Sequence, residues 1–109
     1  MTTGEMITYI QAKLPEEELL AQLAEEASEL AQAALKQRRA VDGRNFTPVT
    51  PQGAKRELIG EIQDVRVCLM VLDLAGEPDD HAKYLARAKL RRWVERLGGN
   101  PDGKAEGQR

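Results

Sequence analysis

The chain has 109 residues, 41% of them hydrophobic and 31% charged, which suits one globular domain and leaves no room for a second. Sixteen basic against eighteen acidic residues give a formal charge of −2, so no basic excess points to nucleic acid. One cysteine, Cys68, excludes an intramolecular disulfide framework and fits a reducing cytoplasm, and one histidine, His81, excludes a His-pair metal site. No apolar run is long enough to cross a bilayer, and the start, Met1-Thr-Thr-Gly-Glu, lacks the basic-then-apolar pattern of a leader.

In chain order the expectation is four helices and no strand. The first covers residues 4–13, with Met6, Ile7 and Ile10 turned inward. Pro15 and the run Glu16, Glu17 and Glu18 open the second, because proline suits a first helical turn and acids suit the positive end of the macrodipole. Leu19, Leu20, Leu23, Ala27, Leu30, Ala31, Ala34 and Leu35 supply its three-and-four apolar spacing, and Lys36, Arg38 and Arg39 its cationic end. Residues 41–53 (VDGRNFTPVTPQG) read as a loop. A third helix is expected over 54–75, closed by Gly76. A fourth runs from 77 to 97 and stops at Gly98-Gly99, leaving 98–109 as a disordered tail beyond a 1–97 domain. With four aromatics in all, the core must be aliphatic, which suits helix–helix packing. Residues 67–75 are apolar nearly all round, and a helix of that kind needs cover on every side. The fold class expected is therefore all-α: a compact bundle of about four helices, completed by homodimer or homotetramer formation.

On a helical wheel the third helix shows an apolar stripe of Leu58, Ile62, Val65, Cys68, Leu69 and Leu72. Glu61 falls inside it, and Asp64 and Glu57 run along its edge. On the second helix Glu26 borders Leu19 and Leu30, with Glu29 one turn on. Buried carboxylates need a proton, a cationic side chain or a metal ion. An oxygen-only set suits Mg²⁺ or Mn²⁺ rather than zinc. A di-iron bundle is excluded, since neither helix carries the histidine its Glu-x-x-His motif requires. Lys89, flanked by Arg92 and Arg96, offers positive charge to carboxylates or to phosphate oxygens. Cys68 reads as core packing and His81 as surface. Trp93 reads as packing or as a platform for a base, and Phe46 in the loop as exposed or as reaching over a ligand.

Residues 25–36 (EEASELAQAALK) and 58–65 (LIGEIQDV), with Glu26/Glu29 as an ExxE pair and Glu61/Asp64 as an ExxD pair, resemble the two signatures of the MazG-like all-α nucleoside triphosphate pyrophosphohydrolases. The stretch Lys89-Leu-Arg-Arg92 is similar to the basic segment that follows them, and the likeness spans roughly residues 16–97. The connector between the signatures is longer than in many members, and Gly60 stands where an acid often precedes the glutamate. The resemblance implies Mg²⁺-dependent hydrolysis of a nucleoside triphosphate to its monophosphate and pyrophosphate, with phosphoribosyl-ATP as an alternative substrate. It assigns Glu26, Glu29, Glu61 and Asp64 to the metal and Glu26 to the attacking water. Lys89 and Arg92 would hold phosphate, and Phe46 or Trp93 the base. The contrasting expectations are a non-catalytic oligomerisation module, its acids satisfied by Lys and Arg across subunits, and a nucleotide-binding regulator that retains the site without turnover.

Overall fold

A computed structural model describes residues 1–43 and 49–103. It is all-α, with helices α1 (Thr3–Lys13), α2 (Glu16–Asp42), α3 (Pro51–Val71) and α4 (Asp80–Arg96), and no strand among the described residues. The chain divides into two units, Met1–Gly76 and Glu77–Arg109.

Local chemistry sets the helix ends. Thr2 and Glu5 form a reciprocal capping box that starts α1. Pro15 stands at the N-cap of α2, followed by the three glutamates, and Gly43 closes the helix in the left-handed conformation with its N–H on the Arg39 carbonyl. The expected 41–53 loop is thus shortened from both sides. Thr50 accepts the Gly53 N–H at 3.0 Å and Pro51 takes the first helical position, so α3 begins three residues before 54. At its other end α3 stops at Val71 rather than 75. Asp73 adopts φ 58°, its N–H bonds the Met70 carbonyl at 3.2 Å, and the Leu74 N–H reaches the Leu69 carbonyl at 2.8 Å. That is a Schellman ending with aspartate in the position usually held by glycine, which is why glycine-based reading overruns it. Asp79 caps α4 through the Ala82 N–H at 2.8 Å, so α4 starts at Asp80 and not at 77.

In the first unit α3 packs along α2, and α1 lies against α3. Gln11 donates to the Val71 carbonyl at 3.0 Å and so satisfies one of the open carbonyls at the end of α3. Pairs of higher-numbered α2 residues with lower-numbered α3 residues show the antiparallel run: Glu26 meets Glu61, and Lys36 pairs with Glu57 at 2.8 Å.

Burial follows a four-three repeat on both helices. On α2 it takes in Leu19, Leu23, Glu26, Leu30, Ala33, Gln37 and Ala40, and on α3 Ala54, Leu58, Glu61, Val65 and Cys68, continuing to Leu72 at its C-cap. All are buried or half-buried, and this is the seam of an antiparallel coiled-coil pair. Ala33 and Ala54, the latter only 1% exposed, are small enough to let the two backbones approach closely. A two-helix seam covers only two positions per heptad, so the broader stripe expected from the sequence is not all inside. Leu20, Leu35, Ile62 and Val67 are exposed, as are Ala27, Ala31 and Ala34, and Met6 of α1 likewise faces solvent.

The second unit holds α4 and the residues on either side of it. Leu85, Leu90, Trp93, Val94 and Leu97 form its apolar side and are all exposed. Of the segment expected to be a disordered tail, residues 98–103 make defined hydrogen bonds, and 104–109 lie outside the described residues. No helix among the described residues is long and apolar enough to cross a membrane.

Candidate metal centre in the helical seam

Three carboxylates meet midway along the seam: Glu26, Glu29 and Glu61 each offer an oxygen, all within 4.8 Å of one another. Glu26 and Glu61 hold seam positions, and Glu29 lies one turn along α2 on the exposed edge. The four-three repeat places acids where an ordinary hairpin would place leucine. Gln22, one turn before Glu26, donates to Glu26 Oε1 at 3.0 Å. The second oxygens, Glu26 Oε2 and Glu61 Oε2, are buried without any hydrogen-bond partner. A third seam residue, Gln37, shows the same condition at Oε1. Such atoms are rare in folded proteins because each forfeits its hydration without recompense.

Electrostatics agree with the crowding. The neighbouring Glu26 carboxylate is the main cause pushing the Glu29 carboxyl above its ordinary value, followed by desolvation and by Glu61. Like charges within a few ångströms oppose full ionisation together. Lys36 does not relieve them, because its ammonium is engaged by Glu57 at the edge of the seam. Cys68 lies buried two turns along α3 from Glu61 and is a free thiol. Burial first, then the fields of Glu26 and Asp64, push its thiol above the usual range, so it is held protonated as a packing group and not poised as a nucleophile.

The structure thus brings together three of the four expected metal ligands. Asp64 is exposed and does not belong to the group. Three residues beyond Glu61, it falls between seam positions, whereas Val65 takes the seam. Lys89 and Arg92 are exposed on α4, where with Glu95 and Arg96 they line an open groove of about 470 Å³ within the second unit. Trp93 is exposed on the same helix, and His81 is exposed in its first turn. Phe46 lies outside the described residues. Reading by motif misses Gln22 and Gln37; the four-three repeat through Leu19 and Glu26 is the signal that would place Gln37 in the seam.

No family model, curated protein or solved structure matches the chain.

Proposed function

We propose that the chain is a divalent-metal-dependent nucleotide pyrophosphohydrolase that cleaves an NTP or dNTP to the monophosphate and pyrophosphate. The observation that carries this reading is the pair of buried, unpartnered oxygens, Glu26 Oε2 and Glu61 Oε2, inside a group of three carboxylates. A hairpin under selection for stability alone would fill those seam positions with apolar side chains, as it does at Leu30 and Val65. Acids kept there without cationic partners suit a hard cation: the donors are all carboxylate oxygens, the class that Mg²⁺ and Mn²⁺ prefer. Glu26, Glu29 and Glu61 would hold it, and Asp64 on the outer edge would complete the ExxD pair. A divalent ion in that place supplies the positive charge an acidic pocket needs before it accepts a triphosphate. The likeness of the ordered ExxE and ExxD pairs to the MazG-like signatures supports the same substrate class.

The chain's own groups then have distinct tasks. Glu26 borders the core, has one oxygen fixed by Gln22 and presents the other free, which suits orienting and deprotonating the water that attacks the α-phosphorus. By the resemblance, Lys89 and Arg92 would supply charge to the departing pyrophosphate, and Trp93 or Phe46 a face for the base. The exposed apolar side chains of the first unit support self-association as a homodimer or homotetramer, and the single reduced cysteine supports a cytoplasmic setting. A screen for pyrophosphate release from standard and modified nucleoside triphosphates and from phosphoribosyl-ATP, with Mg²⁺ or Mn²⁺, tests the reading. Turnover of at least one nucleotide, abolished by chelation, is expected. Release from none would overturn the catalytic reading in favour of a non-catalytic helical module or nucleotide-binding regulator.

A further inference from the structure

The residues that follow α4 form a built return. Gly98, at φ 87°, closes a Schellman motif: its N–H bonds the Glu95 carbonyl at 3.0 Å, and the Gly99 N–H bonds the Val94 carbonyl at 2.9 Å. Asn100 then holds the chain in a turn, accepting the Gly103 N–H on its carbonyl and the Asp102 N–H on its side-chain oxygen, both at 3.0 Å. The outcome is a carboxylate laid on a guanidinium fork. Arg91 Nη1 donates to Asp102 Oδ1 at 2.9 Å and Nη2 to Oδ2 at 3.0 Å. Arg91, and to a smaller degree Arg87 one turn earlier, hold the Asp102 carboxyl below its usual range. Arg91 also lines an open groove of about 450 Å³ with Tyr84, Arg87, Ala88, Arg92 and Glu95, so the lining carries three arginines and one glutamate.

We propose that Arg91, with Arg87 and Arg92 beside it, forms a binding site for a phosphoanion, and that Asp102 occupies it as a tethered competitor. A fork that takes a carboxylate through two parallel bonds takes two phosphate oxygens by the same geometry. Asp102 brings one negative charge and is 73% exposed, whereas pyrophosphate brings several, so the exchange favours the phosphoanion. The return can swing clear without unfolding α4, because its Schellman hydrogen bonds lie before Asn100. The site lies wholly within the second unit and needs no metal, so it does not rest on the reading of the seam carboxylates.

The test is titration of the full chain with pyrophosphate in EDTA at constant ionic strength, followed by calorimetry and by the Arg Nε–H and backbone amide resonances. In the wild type, the Arg91 Nε–H and the Asp102 amide should shift together, and the Asp102 carboxyl should return towards its ordinary range. Asp102→Asn should tighten binding about 3–5-fold, the share of time an exposed bidentate pair of this kind is closed. Arg91→Gln should abolish binding, and Glu61→Gln should leave it unchanged. Wild-type affinity in Arg91→Gln, no tightening in Asp102→Asn, an unmoved Asp102 amide, or loss of binding in Glu61→Gln would each overturn the proposal. So would binding of a single-stranded oligonucleotide without binding of pyrophosphate.

Discussion

Replacing Glu61 by leucine should stabilise the metal-free protein while removing its response to metal. Glu61 fills a half-buried seam position between Leu58 and Val65, and its Oε2 is buried without a partner. Relief of one such atom is worth about 1–3 kcal/mol. A leucine in its place adds about 1 kcal/mol of apolar burial at a half-covered site. Together these give roughly 2–4 kcal/mol, or a rise in Tm on the order of 10–20 °C for a unit of this size. The wild type should gain instead from Mn²⁺ or Mg²⁺: at a free concentration about 100 times Kd, linkage contributes about 2.7 kcal/mol. Thermal unfolding followed by circular dichroism, in EDTA and in millimolar metal at one protein concentration and ionic strength, separates the two effects. Glu95→Gln on α4 serves as the control and should track the wild type. A leucine variant that melts at or below the wild type in EDTA would refute the view of Glu61 as an unrelieved seam acid. One that keeps the wild-type metal shift would refute its place among the donors.

Glu61→Gln, which preserves shape and removes the charge, should lower turnover at least ~100-fold with the helical spectrum intact, as expected for a group that organises a metal; steady-state pyrophosphate release measures it. The raised Glu29 carboxyl fixes a sign for the pH dependence of the metal-free protein. Because the folded state holds this proton more tightly than the unfolded chain, stability should fall as pH rises from the ordinary glutamate range through the raised value, and a Glu29→Gln variant should lose that part of the Tm profile. Sedimentation at micromolar concentration should show a dimer or larger species, and Val67→Lys or Leu20→Lys, at exposed apolar positions, should shift it towards a monomer of about 12 kDa without loss of helix. A wild-type monomer would refute the assigned use of those side chains.

The sequence by itself determined the all-helical class, the order of four helices and some of their ends. The acids after Pro15 and the stop at Gly98 are readable without a partner, because each acts on backbone groups of its own helix, whereas the cap at Asp79 and the closure at Gly43 set helix ends that differ from the expected ones. It also put Glu26 and Glu61 beside the core, since an acid in phase with leucines is visible on a wheel. Other features depended on tertiary structure. The apolar stripe of α2 is broad, and packing on α3, with the small Ala33 and Ala54 in the seam, covers Leu19, Leu23 and Leu30 and leaves Leu20 and Leu35 outside. That choice decided which carboxylates meet: the pairing with α3 gathers Glu26, Glu29 and Glu61 and leaves Asp64 on the edge. The ending at Asp73 and the return that lays Asp102 on Arg91 were likewise hidden. A left-handed aspartate and an arginine eleven residues upstream gain their roles only once the helix beside them has been built.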